Sequence, residues 1–88
     1  MKEVIMKAKV FIKLKPSVMD PQGQTVKHAL ESLHYSGVDK IRIGKMIEVQ
    51  WQGDESREKR EAELKSMCDQ LLANPVIEDY SWEFVESE

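Results

Sequence analysis

The chain has 88 residues, 41% hydrophobic and 33% charged, with a formal net charge of −3. That balance describes a folded globular domain and not a disordered chain, and it gives no general attraction to nucleic acid or anionic lipid. The longest apolar runs are too short to span a bilayer, no signal-like apolar core follows Lys2 and Glu3, and the single cysteine, Cys68, has no internal disulfide partner. The expectation is one domain, residues 1–88, in the cytoplasm. A domain of this size buries only a little over about 60% of the surface its unfolded chain exposes, so a lone copy is marginal.

From Met6 to Leu14 the even positions Met6, Ala8, Val10, Ile12 and Leu14 are apolar, and the odd ones are Lys7, Lys9, Phe11 and Lys13. This is the period of a strand with one buried and one wet face. Lysines on a wet face discourage edge pairing, and with no glycine-rich cradle beside them they read as solvated, not phosphate-binding. Phe11 on that face points to a neighbour. Pro16 has no N–H for a sheet ladder and ends the strand near Lys15.

Asp20 then stands where a helix N-cap belongs, followed by Pro21 with its φ already helical. The spacing of Val26, Ala29, Leu30 and Leu33 predicts a helix over 21–35 with one apolar stripe. Ser36-Gly37 would end it, glycine supplying the left-handed turn. His28 lies nearly opposite the stripe and His34 at its edge; neither has metal-ligand spacing to a second His or Cys, and both read as surface.

Between Val38 and Gln52 the odd positions Ile41, Ile43, Ile47, Val49 and Trp51 are apolar, and the even positions from Arg42 to Gln52 are polar apart from Gly44 and Met46. A two-residue hairpin at Gly44-Lys45 would put Met46, Glu48, Gln50 and Gln52 on the second arm's buried face, which the pattern forbids. One long strand, bent at Gly44, is predicted instead. It would extend about 45 Å, beyond the roughly 30 Å width of a compact chain of this length. A strand that overreaches its domain needs a second sheet, so the reading is a homodimer with Met46, Ile47, Val49 and Trp51 at its interface, with pairing of two such dimers into a tetramer left open.

Gly53 closes that strand and Asp54 opens a second helix predicted to reach Ala73, with acidic Asp54, Glu55 and Glu58 at its positive end. Leu64, Met67, Cys68, Leu71 and Leu72 form its stripe, and Cys68 reads as a buried small hydrophobe. Asn74 would take a left-handed position and Pro75 would stop the helix. The last strand, over 76–85, sets Tyr80, Trp82 and Phe84 opposite Asp79, Ser81 and Glu83. Its acidic face complements the lysine face of the first strand, so those two strands are predicted to be sheet neighbours. Glu86-Ser87-Glu88 reads as a frayed tail.

Two separated stretches resemble a known family. Lys15-Pro16, three residues, then Asp20-Pro21-Gln22-Gly23 is similar to the strand-to-helix connection of the PurS family, the small subunit of phosphoribosylformylglycinamidine synthase. Leu71-Leu72-Ala73-Asn74-Pro75-Val76-Ile77-Glu78-Asp79-Tyr80 resembles that family's junction into its last strand, with Arg42-Ile43-Gly44-Lys45 between the two. The element order gives an α+β two-layer sandwich, β-α-β-α-β with a long central strand, both helices on one face and the sheet extended by dimerisation. The resemblance adds kinship to ferredoxin-like folds.

No catalytic, cofactor-binding or metal constellation can be assembled from the residues. The resemblance implies a non-catalytic structural subunit of a purine-biosynthetic ligase, bridging a glutaminase subunit and a synthetase subunit that uses ATP and magnesium. Carried over by motif, the partner-facing residues would be Lys15, Pro16, Asp20, Gln22, Arg42 and Lys45. The residues alone leave two other classes open, a regulatory domain binding a small metabolite at a dimer seam and a single-strand RNA-binding module.

Overall fold

The structure, a computed structural model, describes residues 5–85. The elements are β1 (Ile5–Leu14), α1 (Pro21–Ser32), β2 (Gly44–Gln52), α2 (Arg57–Met67), which runs on into a π-helical turn over Cys68–Leu72, and β3 (Glu78–Val85). The tail expected at 86–88 lies outside the described residues. The strands form one antiparallel sheet in the order β2-β1-β3, so β1 is the middle strand and pairs with β3 as the charge pattern predicts.

The period-two pattern of β1 explains its central place. Ala8 and Val10 are fully buried and Ile12 nearly so, against Leu64 and Cys68 of the α2 layer. Val10 lies between Ile47 of β2 and Trp82 of β3, and Ala8 lies between Val49 and Phe84, so the odd apolar positions of β2 and the aromatics of β3 share this inner face. Trp51 stacks on Phe84 with ring centroids 6.3 Å apart. Arg57 sits 4.5 Å over the Phe84 ring and Arg60 5.7 Å over Trp51, so the first turn of α2 closes that end of the face with cations on aromatic rings. The opposite, wet face carries Lys9 between Glu48 and Glu83 and Lys13 beside Asp79.

The second helix begins later than the Asp54 expectation. Ser56 is its N-cap, its Oγ accepting from the Lys59 N–H at 3.1 Å, so the helix opens at Arg57 and Asp54 and Glu55 precede it. Its end also departs from a simple 3.6 repeat. The Ala73 N–H donates to the Cys68 carbonyl five residues back, and the buried face passes from Cys68 to Ala73. The extra residue in the turn rotates Leu71 out of the predicted stripe, leaving it 82% exposed. The turn is tied to β3 by Asp69, which accepts from the Tyr80 hydroxyl at 2.6 Å and from Lys65 at 3.0 Å; these bonds hold the Asp69 carboxyl below its ordinary range. Asn74 is not left-handed. Its side chain accepts from the Val76 N–H and its carbonyl accepts from Ile77 and Glu78, an Asx turn that leads into β3.

The first helix is three residues shorter than predicted, for a reason in its own C-terminus. The N–H of His34 donates to the Glu31 carbonyl and that of Tyr35 to the Leu30 carbonyl, the paired bonds of a Schellman ending. His34, with φ of 73°, takes the left-handed position that ends the helix, and Gly37, with φ of 86°, supplies the expected left-handed turn three residues later. A non-glycine residue in the position of His34 costs roughly 1 kcal/mol. His34→Gly is therefore expected to stabilise the protein by about 1 kcal/mol, read as a raised urea midpoint at fixed protein concentration.

Candidate functional site

The functional geometry starts from strand direction. β1 and β2 are antiparallel, with Lys13 opposite Gly44, so β2 begins at the sheet end where β1 stops. Everything between them leaves and returns at that one end. A helix laid across its own sheet would arrive at the far end, where a parallel second strand could start, as in a βαβ unit. Here α1 and the following residues form an arm instead.

The arm is exposed. Of the α1 residues only Gly23 is buried, and the core contains none of its apolar stripe: Val26 is 38% exposed and Leu33 67%. The expectation that both helices cover the sheet thus holds for α2 and not for α1. The molecule is 56 Å long with a radius of gyration of 17.3 Å, against about 12 Å for a compact chain of this length. The predicted strand over 38–52 is divided in the same way. Gly44–Gln52 pairs with β1, whereas 38–43 lies outside the sheet and belongs to the arm. Met46, Ile47, Val49 and Trp51 consequently use one edge of β2 within the chain, and the outer edge of that strand remains open.

A compact knot roots the arm. Asp20, 5% exposed, accepts from the Gly23 N–H through Oδ1 at 2.9 Å, the predicted cap, and through Oδ2 from the Ile43 N–H at 2.7 Å. The bond from Ile43, then that from Gly23, hold its carboxyl below the usual carboxylate range, helped by the Arg42 charge and opposed by burial. Arg42 Nη2 donates to the carbonyls of Lys15 at 2.9 Å and Val18 at 2.8 Å, with that of Leu14 at 3.4 Å. Gly23 completes the knot, because a Cβ there would run into the Ile41 carbonyl. The start of α1 and the approach to β2 therefore lie backbone against backbone.

Of the six residues carried over as partner-facing, Asp20 and Arg42 are drawn into this knot. Lys15 pairs with Asp79 at 2.9 Å and its N–H donates to Ile77. Pro16, Gln22 and Lys45 are exposed around it. Lys45, with Phe11, Lys13, Met46 and Tyr80, lines an open depression of about 470 Å³. Gly44 shows the close approach expected of a strand glycine, with a Cβ there falling 2.6 Å from the Ile12 carbonyl. Beside the knot, Val76 is 80% exposed, so the arm's stripe and an apolar patch at its root are both uncovered. Sequence reasoning missed Gly23 and the Ile43 amide. A glycine in the first turn of a helix, where propensity disfavours it, was the available signal.

Among the described residues no three His, Cys, Asp or Glu side chains gather as a metal site, and no helix is long and apolar enough to cross a membrane. His28 and His34 are exposed. Cys68 is buried, which pushes its thiol pKa up. An α+β chain whose polar side chains are spent on shaping a loop, with its apolar surface held out on an arm, is an assembly module. The family model for PurS, described as phosphoribosylformylglycinamidine (FGAM) synthase, matches residues 7–86, and the chain belongs to that family. It is 48% identical over 80 residues to the PurS subunit of Bacillus subtilis, covering 91% of this chain and 93% of that one. The crystal structure of Methanocaldococcus jannaschii PurS superposes with a TM-score of 0.82 at 41% identity, covering 94% of this chain and 99% of that one. A chain of the PurLQS structure from Thermotoga maritima superposes with a TM-score of 0.83 at 30% identity, covering 93% and 99%.

The pH dependence follows from Asp20. Its folded-state pKa is lowered, so the stability it contributes is present above the unfolded value of about 3.9 and is lost as pH falls through the lower folded value. Asp20→Asn should have a lower urea midpoint than the native chain at pH 7, and the difference should close as the pH is taken below about 4.

Proposed function

We propose that this chain is the non-catalytic subunit that bridges the glutaminase and ATP-dependent synthetase subunits of phosphoribosylformylglycinamidine synthase, acting as a cytoplasmic homodimer. The observation that carries the reading is its agreement over nearly its whole length with a chain of the PurLQS structure. In this enzyme formylglycinamide ribonucleotide, ATP, glutamine and water give the formylglycinamidine ribonucleotide, ADP, phosphate and glutamate. Ammonia freed from glutamine on one subunit is consumed on another, and free ammonia at neutral pH is protonated and diluted by water. A subunit that holds the two sites together keeps the nitrogen available, and for that task it supplies surface and no reacting group. ATP and magnesium belong to the synthetase partner.

The uncovered arm supports the homodimer. Val26 and Leu33 are left uncovered by their own chain, and fully burying such a side chain contributes about 1.5–3 kcal/mol. A second copy provides the same arm, the same root patch at Val76 and the open outer edge of β2 through Met46 to Trp51, in the self-complementary arrangement of a two-fold pair. Pro16, Gln22 and Lys45, with Lys15, would face the larger subunits, while Asp20 and Arg42 act from beneath by shaping the loop that presents them.

Reconstitution tests the bridge. With glutaminase and synthetase supplied, glutamine-dependent product formation is expected to need this chain, and full activity without it would refute the bridging role. Sedimentation at micromolar concentration should show a dimer. Leu33→Asp should weaken that dimer by about 30-fold, equivalent to ~2 kcal/mol.

A further inference from the structure

The arm is not merely long; its direction is set. Between the end of β1 and the start of β2 the chain has two places where it can hinge, the loop over 15–20 and the stretch over 41–43. The knot ties these two places to each other. Asp20 spans them with two charge-assisted bonds, to Gly23 at 2.9 Å on the outgoing side and to Ile43 at 2.7 Å on the returning side. Arg42 fastens the returning side to the Lys15 and Val18 carbonyls of the outgoing loop. The bare Cα of Gly23 lets the helix start lie against the Ile41 carbonyl.

A helix hinged freely at 15–20 would swing back and lay Val26 and Leu33 on its own sheet, because apolar burial favours the nearest uncovered apolar surface. That surface exists: Ile47, Trp82 and Tyr80 on the inner face are only partly buried beneath α2. The observed arm does not take it. We infer that the Asp20–Arg42–Gly23 knot is a conformational lock that holds the arm open, so that its apolar stripe is reserved for another copy of the chain and cannot close on its own sheet. The inference rests on the homodimer reading for its purpose, though the lock itself is a property of one chain. Asp20, Arg42 and Gly23 are positioning residues here; none has to touch the second copy.

Two substitutions at one position separate a lock from a simple helix cap. Asp20→Asn keeps a side-chain oxygen for the Gly23 N–H and is as good a cap as Asp, but its amide has no acceptor for Ile43 and no charge for Arg42. Asp20→Ala loses both functions. Spin labels on cysteines introduced at Ser32 of the arm and Ser81 of β3, diluted with unlabelled chain, read the distance within one copy; buried Cys68 stays unlabelled. The lock requires a long distance in the native chain that shortens or broadens toward short values in both Asp20 variants and in Gly23→Ala. The dimer Kd should rise about tenfold or more in all three, as expected for loss of a charge-assisted bond, with helical circular dichroism retained in Asp20→Asn.

If Asp20→Asn keeps the native distance and Kd while Asp20→Ala does not, Asp20 is only a cap and the lock is refuted. A native chain that is monomeric yet shows the long distance and its dependence on Asp20 would refute the homodimer and leave the lock standing. Should the variants fail to fold, hydrogen exchange on the native chain decides. The Ile43 amide, which lies outside the sheet, must be protected as strongly as the β1 amides, and rapid exchange there overturns the inference.

Discussion

One carboxylate accepting from two backbone amides twenty residues apart is the constraint on which the shape of this protein depends. Asp20 is buried, so its two bonds to Gly23 and Ile43 act with little competition from water, and the Arg42 charge beside it compensates for burying an ion. A side chain that capped α1 and did nothing else would leave the helix free to pivot. By also taking the Ile43 N–H it fixes where the chain comes back, and the antiparallel start of β2 beside Lys13 follows. The sheet, the arm and the loop between them are thus one mechanical unit.

Much of the sheet was legible because its physics is local and periodic. Alternation in β1, the odd apolar positions of β2 and the aromatics of β3 each point to one buried face, and the lysine and acidic faces identified β1 and β3 as neighbours. The Asp20-Pro21 cap was legible for the same reason, since a cap and its helix are adjacent in sequence. What could not be read depends on contacts distant in sequence or on departures from an ideal repeat. The Ile43 bond joins residues 23 apart. The π-helical turn at Cys68–Leu72 changes the period of a stripe by one residue, and no propensity rule placed His34 in a left-handed conformation while Gly37 stood nearby.

The reading of residues 38–52 shows how a pattern can be sound while the element drawn from it differs. The parity of Ile41, Ile43, Ile47, Val49 and Trp51 excluded a hairpin at Gly44, and the chain does run through Gly44 into β2 without folding back. Yet parity alone cannot say where sheet pairing starts, because pairing needs a neighbour. β1 ends at Leu14, so the ladder has no strand to offer beyond Gly44. The residues before it keep their apolar side chains without a sheet to receive them. The excess length expected of a strand is carried instead by an arm, and the 56 Å long axis expresses it.

This arrangement makes assembly and stability the same problem. A chain of 88 residues has little interior, and this one leaves a helix's apolar stripe outside it. Whatever covers Val26 and Leu33 adds burial that the single chain lacks, so the folded population must rise with the concentration of the covering surface. An enzyme subunit held to that rule is favoured when it is assembled and is marginal when it is alone. For a protein that contributes surface to a reaction divided between two other subunits, such coupling is useful, because the copies that persist are the ones already in position to hold the two sites together.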